Sequence, residues 1–203
     1  MDHPAEQKPL RLFCAVELPP EVRARAAAHA ASLRPAGEGA QAKVGWEREE
    51  KLHATLKFFG DVKPARLDAL TDALARAAAR TCAFASSLEG CGVFPNSARP
   101  HVLWLGVADE EGLFAAVWRS LEDECAAANF PRDARPLHPH VTLARVRAIN
   151  SAARTLARKH LETHFEPAPF DVSALVLMRS ELGARGSTYT GVSRHKLEMG
   201  AGG

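Results

Sequence analysis

Two stretches, HATL at residues 53–56 and HVTL at residues 140–143, repeat the pattern H-x-T-L in the two halves of the chain. Both lie in runs of apolar and β-branched residues, which predicts a strand at each position. Because side chains alternate along a strand, the histidine and the threonine of each copy should share one face. Each copy would then offer one imidazole and one hydroxyl to the same surface. Leu56 and Phe58 in the first copy, like Val141 and Leu143 in the second, should anchor the opposite face in the core.

Strand-like and helix-like segments follow one another around these two stretches. Short runs rich in apolar or β-prone residues predict strands, and apolar residues at helical spacing predict helices. The glycines and prolines of residues 34–45 predict a loop, and His29 should face outward from the first helix. The predicted strands are 11–18, 53–59, 84–94, 101–107, 140–146, 174–179 and 188–197, and the predicted helices are 21–33, 67–78, 109–128 and 149–162.

The order of these elements indicates an internal repeat. Strand, helix, histidine-containing strand and helix occur once in residues 11–80 and again in residues 102–162. A duplicated α+β unit would set the two histidine strands side by side about a pseudo-twofold axis, with one cleft between them. We therefore predict one two-lobed domain at residues 10–198, a disordered tail at 1–9 and a flexible tail at 199–203.

Composition narrows the class of protein. The chain has 203 residues, 46% of them apolar, a net charge of +2 and a pI near 8.4. Such a mild charge disfavours binding to long duplexes but permits a short RNA ligand. The four cysteines form no C-x-x-C pair, so neither a zinc ribbon nor a disulfide framework is indicated. We see no signal-peptide core and no membrane-spanning run, and we expect a cytoplasmic protein.

Two imidazoles in one cleft suit acid–base chemistry on a cyclic phosphodiester. With an ordinary pKa near 6.5, one histidine can be protonated while the other is neutral at about the same pH. The neutral imidazole would take a proton from water, and the protonated one would give a proton to the departing sugar oxygen. The hydroxyls of Thr55 and Thr142 would bind the non-bridging oxygens. This chemistry for His53 and His140 requires no metal or cofactor.

A zinc site is the competing interpretation of the same histidine pair. Zinc usually takes a third protein ligand, and none is evident on the same strand faces. The other histidines lack the repeated context and are interpreted as surface or structural residues: His3, His29, His101, His138, His160, His164 and His195.

The chain resembles the 2H phosphoesterase superfamily, whose signature is two H-x-[T/S]-x motifs in a duplicated fold. Within it, the likeness is greatest to the RNA 2′,3′-cyclic phosphodiesterases, historically called 2′-5′ RNA ligases. The likeness extends over residues 11–197. It rests on RLFCAVELP, VGWEREEKLHATLKFFGDV, GVFPNSARPHVLWLGV, HPHVTLARV and the closing segments RSEL and GSTY.

The resemblance implies antiparallel sheets with helices outside and a central cleft carrying both histidine strands. It also implies hydrolysis of a terminal 2′,3′-cyclic phosphate to a 2′-phosphomonoester, with His53 as proton donor and His140 as proton acceptor. Arg145 matches an arginine that often follows the second motif, which suggests a contact to substrate phosphate. Strand alternation, however, brings Arg145 to the histidine face only if the strand bends or ends there. Lys57 should share the face of His53, although a solvated role is also open.

Other roles and substrates stay open at this stage. Trp46 and Phe94 are candidates for stacking on a base, although core packing is the commoner fate of such residues. We expect a monomer acting on RNA with a cyclic phosphate end, such as tRNA fragments or short oligonucleotides. The alternatives are another small cyclic phosphate as substrate, the reverse 2′-5′ ligation, or a binding module for RNA ends without turnover.

Overall fold

The computed structural model describes residues 8–38, 42–183 and 186–198. Most of the predicted N-terminal tail therefore lies outside the described residues. All of the predicted C-terminal tail lies outside them as well. The helices are α1 (Pro20–Glu38), α2 (Leu67–Ala79), α3 (Leu113–Ala127) and α4 (Ser151–Glu162). The strands are β1 (Leu10–Glu17), β2 (Val44–Trp46), β3 (His53–Val62), β4 (Phe84–Phe94), β5 (Val102–Val107), β6 (His140–Val146), β7 (Ala168–Val172), β8 (Ala174–Gly183) and β9 (Gly186–Lys196).

All of these strands belong to one antiparallel sheet. Its order is β7-β4-β5-β6-β3-β1-β8-β9, with β2 paired to β6. The repeated units are β1-α1-β3-α2 and β5-α3-β6-α4, and the two histidine strands β3 and β6 meet at the centre. The remaining strands extend the sheet outward, β8 and β9 on the first lobe and β4 and β7 on the second. The predicted duplicated α+β fold is confirmed, with both lobes sharing a single sheet.

The helices lie outside the sheet as two packed pairs, α2 with α3 and α1 with α4. In the described part of the chain, no helix has both the length and the apolar character needed to cross a membrane. Asp109 lies before α3 and accepts the backbone N–H groups of Phe114 at 2.7 Å and Ala115 at 3.1 Å. Its carboxylate therefore caps the first turn of α3, which begins at Leu113 rather than at the predicted residue 109.

Some local predictions were wrong. Helix α1 continues through Pro35 to Glu38, where a loop was expected, because Leu33 and Ala36 pack in a small second core. His29 is only 8% exposed, since α4 covers the side of α1 that was expected to face solvent. Strands β2 and β7 were missed because one is three residues long and the other contains Pro169.

A β-bulge interrupts the first histidine strand at Leu56. Lys57 pairs with Cys14 and Thr55 pairs with Ala15, so Leu56 is an extra residue opposite β1. A bulge of one residue reverses the alternation of side chains beyond it. Lys57 is therefore buried instead of sharing the face of His53, and Phe58 is 61% exposed instead of packing in the core. Both predictions for these side chains were wrong for this one reason.

The second histidine strand has the same irregularity at Leu143. Ala144 pairs with Leu103 and Thr142 pairs with Trp104, which leaves Leu143 as the extra residue opposite β5. Leu143 and Ala144 are both fully buried. The reversal of alternation beyond the bulge brings Arg145 to the histidine face. Arg145 could reach the histidine face only if the strand were irregular at this point, and the bulge at Leu143 provides that irregularity.

Burial of Lys57 is compensated by two carboxylates. Its Nζ lies 2.5 Å from Glu122 Oε1 and 3.4 Å from Asp133 Oδ1, and the Lys57 side chain is about 1% exposed. The second oxygen of Glu122 accepts the backbone N–H of Asp133 at 3.0 Å. This network joins β3 to α3 and to the segment that leads into β6.

Replacing Glu122 with alanine should lower the free energy of unfolding by roughly 3–5 kcal/mol, because it strands a buried ammonium group. The double variant Lys57→Met/Glu122→Leu should recover most of that loss, since it removes both charges. Urea unfolding of the purified variants measures both effects. Asp123→Ala is the matched control, because the Asp123–Arg132 pair is exposed and should contribute less than about 1 kcal/mol. Equal losses in Glu122→Ala and Asp123→Ala would contradict the assignment.

Candidate active site

A cleft of about 430 Å³ lies over the centre of the sheet, at the junction of the two lobes. Its walls come from β1, β3 and β6 and from the β8–β9 hairpin. Its floor carries both predicted histidines and both predicted threonines. The lining residues are Arg11, Leu12, Phe13, Glu47, Lys51, His53, Thr55, Phe58, Gly60, His140, Thr142, Arg145, Ser180, Leu182, Ser187 and Tyr189.

The pairing of β3 with β6 sets the arrangement of the floor. The strands are antiparallel, and Ala54 lies opposite Val141. The side chains of both residues point into the core, where each is at most 1% exposed. Their neighbours on either side consequently face the cleft. The predicted convergence of two imidazoles and two hydroxyls is present in the structure.

Each imidazole is held through Nδ1 by a carbonyl two residues earlier in the chain. His53 Nδ1 donates to the Lys51 carbonyl at 2.6 Å, and His140 Nδ1 donates to the His138 carbonyl at 2.7 Å. A carbonyl only accepts hydrogen bonds, so the proton of each neutral ring is on Nδ1. The Nε2 atoms carry the free lone pairs, and that of His53 accepts the Thr55 hydroxyl at 2.9 Å. The reactive nitrogen of each ring is therefore Nε2.

Aromatic side chains fix the orientation of both rings. Phe13 stacks on His53 with the centroids 5.0 Å apart, and Tyr189 meets the same ring edge-on at 5.4 Å. Phe94 meets His140 edge-on with the centroids 5.1 Å apart. These contacts remove rotational freedom before any ligand binds, which favours a preorganised site.

Burial lowers the pKa of His53 and of His140 below the ordinary histidine value. The surroundings then differ between the two rings. The pKa of His53 is raised by its bond to the Lys51 carbonyl, lowered by the charges of His140 and Arg145, and raised to a smaller extent by the charge of Glu17. For His140, the bond to the His138 carbonyl raises the pKa, whereas the charges of His138 and Arg145 lower it. A carboxylate thus favours the protonated form of His53 alone.

Cationic groups surround the floor of the cleft. Arg145 lines it, with a side chain that is 59% exposed and lies 3.8 Å from Glu47. Arg11 and Lys51 also line the cleft. The Lys51 ammonium donates to the Ser187 carbonyl and lies 5.8 Å from the ring centre of Tyr189. The cleft is therefore suited to an anion.

The structure places neither of the two residues predicted to stack on a base in the lining of the cleft. Trp46 is absent from the lining of the cleft and packs against the core, with the Arg34 guanidinium 5.9 Å from its ring centre. Phe94 is also absent from the lining and packs between Trp104 and His140. Phe58 instead presents an exposed ring to the cleft. The bulge at Leu56 places it there, and the sequence carries no obvious signal for that bulge.

Two preorganised imidazoles with unprotonated Nε2 atoms, set among cations in a duplicated fold, fit the two-histidine phosphoesterases that the sequence resembles. Residues 18–184 match the model of the 2′-5′ RNA ligase superfamily. The chain therefore belongs to the 2′-5′ RNA ligase superfamily, as its resemblance to the 2H phosphoesterases predicted.

Individual relatives agree with this membership. An RNA 2′,3′-cyclic phosphodiesterase of Thermus thermophilus is 34% identical over 204 residues, covering 93% of this chain and 90% of that protein. One of Methanothermobacter thermautotrophicus is 32% identical over 188 residues, covering 93% and 99%. One of Geobacillus stearothermophilus is 38% identical over 100 residues, which cover 49% of this chain and 32% of that protein.

Solved structures show the same fold. The crystal structure of TT0787 from Thermus thermophilus has a TM-score of 0.74 and 27% identity, and covers 94% of this chain and 100% of that one. E. coli LigT complexed with 3′-AMP has a TM-score of 0.72 and 25% identity, with 93% and 98% covered. The likeness extends over both lobes and therefore includes the cleft between them.

Both catalytic candidates should titrate below pH 6.5 in the free protein, because burial disfavours the charged imidazole. Adding 3′-AMP should raise the pKa of His53, since an anion in the cleft stabilises the imidazolium. NMR spectra of the imidazole nitrogens recorded across pH 4–8 measure both effects, with the urea-unfolded chain as the reference. A pKa above 6.5 for either ring in the free protein would overturn this electrostatic description.

Proposed function

We propose that this protein hydrolyses the 2′,3′-cyclic phosphate at an RNA end to a 2′-phosphomonoester. The observation that carries the proposal is the convergence of His53 and His140, each with Nδ1 bound to a carbonyl, which leaves Nε2 as the nitrogen for proton transfer. Relatives named RNA 2′,3′-cyclic phosphodiesterase, which align over more than nine-tenths of the chain, support the reaction and the substrate class.

The reaction proceeds by displacement at phosphorus. His140 Nε2 takes a proton from water as the water oxygen forms a bond to phosphorus. The bond between phosphorus and O3′ breaks, its electron pair passes to O3′, and His53 Nε2–H supplies the proton that O3′ needs. The product keeps the phosphate on O2′, and the two histidines have exchanged protonation states. Proton exchange with solvent restores the starting pair.

The charges around His53 act in both directions, since His140 and Arg145 lower its pKa and Glu17 raises it. The charge of Glu17 raises the pKa of His53, which favours the protonated donor. The charge of Arg145 lowers the pKa of His140, which favours the neutral acceptor. Arg145 also lowers the pKa of His53, and the bound phosphodiester anion offsets this by neutralising the arginine. Opposite protonation of the two rings is what acid–base catalysis requires.

The other residues of the cleft fit a phosphate flanked by a nucleoside. Thr55 and Thr142 would donate hydrogen bonds to the non-bridging oxygens, and Arg145 would neutralise the developing charge. Phe58 and Leu182 are 61% and 75% exposed at the rim, where they form an apolar platform for a base. The volume of about 430 Å³ matches the last nucleotides of a single strand better than a duplex.

Replacing either His53 or His140 with alanine should lower kcat by about 10²–10⁴, because each substitution removes one proton transfer. The assay uses a short oligoribonucleotide ending in a 2′,3′-cyclic phosphate, with EDTA present, and identifies the phosphate position by phosphorus NMR. His164→Ala is the matched control, since this histidine is exposed and lies outside the cleft. We expect wild-type activity in the control and a 2′-phosphate as product.

Three outcomes of this assay would contradict all or part of the proposal. Tight binding of the RNA without product formation would indicate a binding module for RNA ends. Activity abolished by EDTA and restored by zinc would indicate metal-dependent chemistry at the histidine pair. Turnover of small cyclic nucleotides but not of the oligonucleotide would keep the mechanism and change the substrate.

Phe58→Ala should weaken binding of the RNA end by about 1–3 kcal/mol, because it removes the stacking surface for the base. The effect should appear as a higher KM with a nearly unchanged kcat, since the ring packs against Phe13 rather than against either histidine. Steady-state kinetics on oligonucleotides with a purine or a pyrimidine end measures this loss. Leu161→Ala removes a similarly exposed apolar side chain from α4 and should change neither constant. Equal kinetics for Phe58→Ala and wild type would exclude the platform.

A cytoplasmic location and a monomeric state complete the proposal. Both stay predictions from the sequence. Fragments of tRNA and short oligonucleotides with cyclic phosphate ends are the ligands that such an enzyme would meet there.

A further inference from the structure

We propose that His29, Cys91 and His160 form a binding site for a zinc-type divalent metal ion, separate from the catalytic cleft. These residues come from α1, β4 and α4, and none of them lines the cleft. Each offers one ligand atom, and the three atoms lie within 4.8 Å of one another. Two imidazole nitrogens and one thiolate sulfur form a donor set that zinc favours.

Two of the three distances between these atoms match those around a tetrahedral zinc ion, and the third, between the ligand atoms of His160 and Cys91, is at most 4.8 Å. His29 Nε2 lies 3.2 Å from His160 Nδ1 and 3.6 Å from Cys91 Sγ. With Zn–N bonds of about 2.0–2.1 Å and Zn–S bonds of about 2.3 Å, tetrahedral angles separate two nitrogens by about 3.3 Å and nitrogen from sulfur by about 3.5 Å. The side chains thus already hold spacings that an ion could bridge with small adjustments.

The second nitrogen of His160 is bound as it commonly is in metal ligands. His160 Nε2 donates to the Trp104 carbonyl at 3.0 Å, which leaves Nδ1 unprotonated and turned toward His29. A backbone carbonyl on the distal nitrogen fixes both the tautomer and the ring orientation of a ligating histidine.

Access from solvent is available on the side of Cys91. This residue is half-buried and lines a second cavity of about 680 Å³, together with Thr163 and Phe165. An ion could enter by this route, and water could supply the fourth ligand. His29 and His160 are 8% and 0% exposed, so the ion would be shielded from most of the solvent.

A hydrogen-bonded cluster without metal is the competing explanation. His29 Nε2–H can donate to His160 Nδ1, and the Cys91 thiol can donate to the Thr163 carbonyl at 3.3 Å. Those bonds satisfy the polar atoms without an ion. Spectroscopy distinguishes the two explanations, because only the metal site binds a single ion through the Cys91 thiolate.

Titration of the full-length, chelator-treated protein with Co²⁺ under a non-thiol reductant tests the site. We expect one equivalent to bind, with visible ligand-field bands of a tetrahedral ion and a near-ultraviolet band from thiolate-to-cobalt charge transfer. Zinc should displace the cobalt and abolish these bands. Zinc should also raise the melting temperature, since it binds only the folded chain and joins α1 and α4 to the sheet.

Matched variants assign the signal to this cluster. Cys91→Ser should lose the charge-transfer band and the thermal shift while hydrolysing the cyclic phosphate at the wild-type rate, which also shows that it folds. Cys82→Ser, which changes an exposed thiol outside the cluster, should keep both signals. The double variant His53→Ala/His140→Ala should also keep both. No stoichiometric binding by wild type, binding unchanged in Cys91→Ser, or binding lost in the catalytic double variant would each overturn the site.

Discussion

Ala54 pairs with Val141 where β3 meets β6, and this short contact joins the two lobes at the floor of the cleft. Its antiparallel register sends both small or branched side chains into the core and turns the flanking histidines and threonines toward the same space. A shift of one residue in either strand would exchange the two faces and bury the imidazoles. The geometry of the site therefore follows from strand pairing, and the carbonyls and aromatic rings refine it.

The two bulges add a difference between lobes that otherwise repeat one another. Beyond Leu56 the cleft receives Phe58, and beyond Leu143 it receives Arg145 at the corresponding place. One lobe thus contributes an apolar ring that suits a base, and the other contributes a cation that suits a phosphate. A pseudo-symmetric scaffold in this way binds a ligand with two chemically different ends.

The same reversal of alternation acts on the core side of each strand. The first lobe places Lys57 there and the second places Ala144. Lys57 is compensated by Glu122 of α3 and by Asp133, which lies in the segment leading to His140. The buried ion pair therefore connects the strand of one catalytic candidate to the approach of the other.

The repeated H-x-T-L pattern, together with the repeated order of strands and helices, predicted the duplicated fold and the convergence of His53 and His140. It depends on local alternation and on a sequence repeat, and both are visible in a single chain. The positions of Lys57 and Phe58 were not predictable in this way, because a bulge depends on the register with a neighbouring strand. Tyr189 and Lys51 reach the cleft through the β8–β9 hairpin and a short turn, which are distant or irregular in sequence.

His29, Cys91 and His160 were missed for a related reason. They are separated by more than sixty residues at each step and come together only when α1 and α4 pack beside β4. No spacing motif precedes such a site. His29 was even expected to face solvent, because one helix considered alone gives no sign of the second helix that covers it.

The pH dependence of kcat/KM for wild type, His53→Ala and His140→Ala tests the central claim, that two imidazoles divide acid and base roles on one phosphate. The active form needs His53 protonated and His140 neutral, so the wild-type profile should be bell-shaped, with both limbs below pH 6.5 because burial lowers both pKa values. His53→Ala should lose the alkaline limb, and His140→Ala should lose the acid limb. The same bell in all three proteins, at whatever rate, would contradict the assignment of these histidines.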